Sequence, residues 1–225
     1  LSALSTRVLH RHNLSDLYAK RPVEALRRLH QRALVDERED LLAALAELNY
    51  ACAQRLTRSV KPGARQRAPD HYLGATVYAY LYIMDQERFR NAAFLREFRS
   101  VCDLYNSALA LAFPAGGTNG AVRLEAGPRK LPFGEIRVEL DTSRFATPLS
   151  EFREFLPANA YRVRGVSVRN RVSGLGAPLI CVYQTNQVSQ YTRCTPATVF
   201  GRIQGTLSEI SEGRGRVALE VYSPF

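Results

Sequence analysis

The stretch Asp70-His-Tyr-Leu-Gly-Ala-Thr-Val-Tyr-Ala-Tyr-Leu-Tyr-Ile-Met84 decides the fold, because every side chain from Tyr72 onward is apolar, aromatic or small. Pro69 and Asp70 form a helix start signal, since Asp is a favourable N-cap residue. A helix that is apolar all round lies in a protein core or in a membrane. A membrane span needs about 20 apolar residues, whereas this run has thirteen and ends at Asp85. The stretch therefore predicts the central helix of a helical domain.

Amphipathic helices surround this central helix in the sequence. Apolar residues at a spacing of three or four predict helices over residues 2–19, from Pro22 through Ala33, over 40–57 and over about 91–112. A break or restart is expected at Asn13–Asp16, and Pro22 suits the first turn of a helix. About five helices with short links are typical of a bundle.

The character of the chain changes after residue 113. Gly134–Leu140 alternates between apolar and charged residues, which predicts a half-buried strand. Further strands are expected over residues 161–172, 179–183, 195–208 and 215–222, with a hairpin turn at 212–215 and one helical turn at 151–155. The sequence therefore predicts an α+β fold with a helical domain over residues 1–113, a linker over 114–121 and a mainly antiparallel β domain over 122–225.

The charge of the chain is strongly basic but evenly spread. The formal net charge is +10, which favours anionic partners, yet residues 1–112 and 113–225 each contribute +5. The most basic local stretch is YRVRGVSVRNR, and its candidate anion-binding residues are Arg162, Arg164, Arg169 and Arg171. They could contact nucleic acid or an anionic membrane surface. They could equally protect an edge strand from aggregation or form ion pairs with another domain.

The residues of the chain show no catalytic constellation. The G-x-S-x-G turn of α/β-hydrolases is absent, because Gly165-Val-Ser167-Val-Arg169 lacks the second Gly and lies in a predicted strand. All four histidines stand in the helical half, and the spacing of His10 and His12 does not suit a metal site on a helix. The sequence therefore predicts no catalytic, cofactor-binding or metal-binding residue.

The four cysteines form no C-x-x-C pair, which argues against a zinc site. Cys52 and Cys102 lie in predicted helices and are interpreted as buried small apolar residues. Cys181 and Cys194 lie in strand-like sequence, where a hairpin could bring them together in a disulfide.

Several motifs, taken in order, resemble the N-terminal region of a family of large bacterial α/β-hydrolases of the lipase and esterase type. The motifs are LLAALAELNY (41–50), Tyr78-Ala-Tyr80, Cys102-Asp-Leu-Tyr-Asn-Ser-Ala-Leu109, Leu131-Pro-Phe-Gly134, Val163-Arg-Gly165, Arg169-Asn-Arg171 and Gly174-Leu-Gly-Ala-Pro-Leu179. In that family this region precedes the hydrolase domain, which carries the nucleophile and the oxyanion loop. The resemblance implies a bacterial protein, with the cell envelope as one location to consider.

The resemblance thus implies a non-catalytic N-terminal portion that packs on a hydrolase domain absent from residues 1–225. Two alternatives stay open at this point. The helical half could be a module that docks a partner protein, or the arginine stretch could bind nucleic acid or an anionic membrane. No cofactor is expected under any of the three hypotheses.

Overall fold

The computed structural model describes residues 1–84, 96–116, 120–158, 174–184 and 194–223. Over these residues the chain is α+β, as predicted, with helices followed by a mainly antiparallel, curled sheet. The α-helices are α1 (Ala3–Arg11), α2 (Ser15–Lys20), α3 (Pro22–Val35), α4 (Glu39–Arg58), α5 (Ala68–Met84), α6 (Arg96–Leu111) and α7 (Leu207–Ser211). The strands are β1 (Gly127–Leu131), β2 (Gly134–Arg144), β3 (Phe152–Pro157), β4 (Ala177–Tyr183), β5 (Cys194–Gln204) and β6 (Arg216–Tyr222). None of the helices in these ranges is long and apolar enough to cross a membrane.

The first predicted helix is divided in two at the expected break. Asn13 has a φ of 54°, a left-handed conformation that asparagine tolerates better than most residues, and it separates α1 from α2. Pro22 occupies the first turn of α3, where its missing N–H costs no hydrogen bond.

Helix α5 packs against both α4 and α6. It begins at Ala68, two residues before the predicted start, because a 3-10 turn over Arg65–Arg67 leads directly into it. Asp70 is therefore part of the first helical turn rather than the N-cap. Twelve of its seventeen residues are buried, as the apolar run predicts.

The strands pair in the order β1-β2-β6-β5-β4-β3. All neighbours are antiparallel except β2 and β6, which run parallel. The alternation predicted for β2 is confirmed, because Ile136 and Val138 are buried whereas Glu135, Arg137 and Glu139 are exposed. The strand is longer than predicted and continues to Arg144.

Two local predictions are wrong. Glu151–Phe155 is not a helical turn: a 3-10 turn ends at Glu151 and β3 begins at Phe152. The strand predicted over 195–208 ends at Gln204, and α7 follows in place of a simple hairpin turn. Helix α7 is fixed by a capping box, in which Thr206 accepts from the Glu209 N–H and the Glu209 carboxylate accepts from the Thr206 N–H.

The predicted linker is closed by backbone pairing on its two sides. The Ala115 N–H donates to Ala121 O at 2.8 Å, and the Arg123 N–H donates to Phe113 O at 2.7 Å. Buried apolar residues of the helices and of the sheet form one continuous hydrophobic core. The division into two domains stays a prediction.

Candidate functional site

The turn between β1 and β2 inserts into the helical layer beside Gly74 of α5. A Cβ atom at Gly74 would lie 3.1 Å from Pro132 Cδ and 3.4 Å from Phe133 Cε1. The separation from Pro132 Cδ is tighter than an ordinary carbon contact, so the absence of a side chain at Gly74 permits the close approach. The Phe133 ring then reaches Tyr78, with the ring centroids 4.8 Å apart.

His30 of α3 is the centre of a buried polar group at this junction. Its ring stacks on Phe133 at 4.6 Å between centroids. Its Nδ1 lies 2.8 Å from the Tyr78 hydroxyl, and its Nε2 lies 3.0 Å from Ser211 Oγ. Ser211 Oγ also donates to Leu207 O at 2.7 Å. One chain of hydrogen bonds therefore links α3, α5 and α7.

The hydrogen bonds of His30 fit one tautomer best. If Tyr78 donates to Nδ1, the Nε2–H donates to Ser211 Oγ and the serine proton goes to Leu207 O, so that every donor has an acceptor. Burial lowers the pKa of His30 to about 4 and raises that of Tyr78 well above its ordinary value. Both side chains are therefore neutral near pH 7.

This group differs from a Ser–His–Asp triad in its chemistry. A general base needs an unprotonated nitrogen facing the serine hydroxyl, whereas the Nε2 of His30 carries the proton in the satisfied tautomer. A tyrosine takes the place of the carboxylate, and His30 is only 3 % exposed. We assign the group a structural role that holds the helical layer against α7.

A second buried group contains the residue types of a cysteine nucleophile site. His71 Nδ1 lies 3.0 Å from Asn49 Oδ1, and His71 Nε2 lies 3.9 Å from Cys52 Sγ. Asn49 also donates to Leu45 O at 2.9 Å. Nucleophilic cysteines have lowered pKa values, but here burial raises the pKa of Cys52 to about 11. Burial also lowers the pKa of His71 to about 4, so the pair is a neutral thiol and a neutral imidazole.

The low solvent exposure of the Cys52–His71–Asn49 group agrees with the pKa shifts that burial causes. Cys52 and Asn49 are each 1 % exposed and His71 is 5 % exposed. The prediction that Cys52 and Cys102 are buried small residues is confirmed for Cys52, whereas Cys102 is only partly buried. His71 lies near the start of α5 and joins this helix to α4 through Asn49 and Cys52.

Helix α6 joins the sheet through two adjacent polar residues. The Tyr105 hydroxyl donates to Gly201 O at 2.8 Å and accepts from the Gly201 N–H at 2.9 Å. Asn106 Nδ2 donates to Gly174 O at 2.9 Å, and its Oδ1 accepts from the Gly176 N–H at 2.7 Å. These four bonds fix the entry to β4 and the middle of β5 on the helical layer.

Arg162, Arg164, Arg169 and Arg171 lie outside the described residues, as does Ser167, so the anion-binding prediction stays a prediction. Within the described ranges no three His, Cys, Asp or Glu side chains are placed to hold a metal ion.

Cys181 and Cys194 lie on neighbouring strands but are not bridged. Cys181 is opposite Thr195 and Cys194 is opposite Val182, so the two side chains point to opposite faces of the sheet. Accordingly Cys181 is buried and Cys194 is exposed.

Sequence reasoning did not predict the roles of Ser211, Asn106 or Asn49. The partners in these bonds are separated by as many as 181 residues, and single polar residues in apolar periodic stretches carry no local signal of a distant partner. Comparison with protein-family models, with curated proteins and with solved structures finds no match for the chain.

Proposed function

We propose that this chain is the non-catalytic N-terminal portion of an α/β-hydrolase-like protein, and that it packs on and supports a hydrolase domain absent from residues 1–225. The hydrolase domain would carry the nucleophile and the oxyanion loop. The proposal builds on the ordered motifs in the sequence and on the part those motifs take in the fold.

The observation that carries the proposal is that the motif residues contact one another across the helix–sheet junction. Asn106 of the 102–109 motif bonds to Gly174 and Gly176 of the 174–179 motif. Phe133 of the 131–134 motif contacts Tyr78 of the 78–80 motif. These motifs are far apart in sequence, yet they form the contacts that join the helices to the sheet. Such a structural role is expected of a region that supports another domain.

The chemistry of the buried groups also supports a non-catalytic role. The serine of the His30 group donates its proton to a helix carbonyl, and the thiol of Cys52 has a raised pKa. The Cys52 thiol is thus neutral and buried, and the Ser211 hydroxyl is partly buried with its proton committed to a backbone carbonyl. Catalysis by the parent protein would then need residues that another domain contributes.

The first test is to read the coding frame beyond Phe225 for a strand–turn–helix with G-x-S-x-G. The extended protein and residues 1–225 are then compared by labelling with a fluorophosphonate and by hydrolysis of p-nitrophenyl esters. We expect the extended protein to be labelled and active, with loss of both on replacement of the elbow serine, and residues 1–225 to be inert. A frame without the elbow, or labelling of residues 1–225 themselves, would contradict the proposal.

A further inference from the structure

The connection between α4 and α5, residues 59–67, presents an exposed apolar side chain among cations. Val60 is 93 % exposed, the highest value among the large apolar side chains of the residues that the structure describes. Arg58, Lys61, Arg65 and Arg67 are all exposed. We name these five residues the basic tip.

The basic tip is ordered by its backbone rather than loosely extended. The Ala64 N–H donates to Lys61 O at 3.2 Å across Pro62 and Gly63, and Gly63 has a φ of 72°. This is the arrangement of a type II turn, in which proline and a left-handed glycine take the central positions. Ala64 at the end of the turn is only 2 % exposed and packs against the protein, whereas the Val60 side chain projects into solvent.

Among the described acidic residues, Asp70 interacts electrostatically with Arg67, and its one negative charge does not balance the four cations of the basic tip. No acidic residue stands between Glu47 and Asp70, whereas five basic residues do. Arg58, Lys61, Arg65 and Arg67 have no ion-pair partner among the residues that the structure describes. Arg65 and Arg67 also precede the N-terminus of α5, where the helix dipole disfavours positive charge.

We propose that the basic tip binds the surface of an anionic phospholipid bilayer, with Val60 entering the headgroup region and the four cations contacting lipid phosphates and carboxylates. Clusters of four or more Lys and Arg are attracted to anionic lipid surfaces, and an apolar side chain adds insertion at the interface. Single-stranded nucleic acid fits less well, because no Tyr, Phe or Trp lies between Tyr50 and Tyr72 to stack on bases. The basic tip is distant in sequence from the Arg162–Arg171 stretch, and the proposal does not depend on a hydrolase domain.

The first experiment uses vesicle co-sedimentation of the folded chain at about 100 mM salt, with phosphatidylcholine vesicles that contain or lack about 30 % phosphatidylserine. Replacement of Arg58, Lys61, Arg65 and Arg67 by Gln is expected to weaken binding to the anionic vesicles by about tenfold or more. The matched control replaces the exposed residues Arg7, Lys20, Arg27 and Arg32 by Gln, which changes the net charge equally, and it is expected to keep binding within about twofold.

The second experiment tests insertion with a single tryptophan, since the chain contains none. Val60→Trp is expected to shift its emission to the blue on anionic vesicles only. Val35→Trp is the matched control, because Val35 is also a surface valine at 89 % exposure, and its emission is expected to stay unchanged. Circular dichroism checks that each variant is folded.

Three results would overturn the proposal: equal loss of binding in both quadruple variants, an unshifted Val60→Trp spectrum, or tighter binding of the chain to a single-stranded oligonucleotide than to the anionic vesicles. An unshifted Val60→Trp spectrum would show that Val60 does not enter the headgroup region. Binding would then be electrostatic only, which contradicts the proposal.

Discussion

The hydroxyl of Tyr105 occupies the backbone hydrogen-bonding position of Gly201 that strand β4 leaves open. β4 pairs with β5 only as far as Val199, and two residues later the tyrosine supplies both a donor and an acceptor to Gly201. The Tyr105 side chain of α6 therefore supplies hydrogen bonds to β5 at a position that lies beyond the first residue of β4.

Tyr105→Phe is expected to lower the free energy of unfolding by about 2–3 kcal/mol, because it leaves the Gly201 N–H and C=O buried without partners. Urea denaturation of the purified chain measures the change. Tyr183→Phe is the control, since the Tyr183 hydroxyl has no partner among the described residues. A loss below about 0.5 kcal/mol would show that water replaces the tyrosine.

Gly74→Ala is expected to destabilise the protein by about 1–3 kcal/mol, although the same change in an exposed helix interior stabilises by about 1 kcal/mol. The reason is the contact of the added Cβ with Pro132 Cδ at 3.1 Å. The unfolding midpoint of Gly74→Ala is compared with that of Pro132→Ala and of the double variant. The cost of Gly74→Ala should shrink in the Pro132→Ala background, and strictly additive costs would exclude a direct contact.

Stability is expected to fall as the pH is lowered from about 6.5 towards 4. Burial lowers the pKa of His30 and of His71 to about 4 in the folded state, whereas an unfolded histidine titrates near 6.5. The unfolded state therefore binds more protons in this range, and acid favours unfolding by about 2 kcal/mol for each histidine. The stabilisation is fully present above pH 6.5.

Urea midpoints measured between pH 7 and pH 4.5 check this dependence on pH. His71→Gln should reduce the slope of stability against pH, because the lowered pKa of His71 then no longer contributes to it. An unchanged slope in His71→Gln would mean that His71 already titrates normally in the folded protein.

Alkylation of the native chain with iodoacetamide near pH 8 is expected to modify Cys194 first. Cys194 is exposed, whereas burial raises the pKa of Cys52 to about 11 and that of Cys181 to about 12, and the thiolate is the reacting form. Mass spectrometry of digested protein measures the rate at each site, with a urea-unfolded sample as the reference. Rapid modification of Cys52 in the native chain would identify the Cys52–His71–Asn49 group as an active thiol site.

The helical periodicity and the strand alternation were sufficient to predict the class of the fold. Both patterns can be recognised within a short stretch of sequence, as in the all-apolar run of α5 and the alternation of apolar and charged residues in β2. The start of α5 was missed by two residues because the 3-10 turn at Arg65–Arg67 has no distinctive sequence pattern. Helix α7 could have been found, since Thr206 and Glu209 have the spacing of a capping box.

The junction could not be predicted because its contacts join residues with no local relationship. His30 sits on the apolar face of α3 and looks like any core position until Ser211 and Phe133 are placed beside it. Tyr78 shows the same limit, because its hydroxyl bonds to His30, which lies 48 residues away in the sequence. His30 in turn bonds to Ser211 of α7.

The position of β6 in the sheet has a consequence for the order in which the protein can form. Among the described strands it is the last to be synthesised, yet it lies between β2 and β5 and pairs with both. Until residues 216–222 have left the ribosome, the β1–β2 hairpin has no sheet to join and can be held only by the helices. During synthesis, the β1–β2 hairpin and the β3–β4–β5 sheet therefore each have an unpaired edge, and β6 joins them into one sheet when it pairs with β2 and β5.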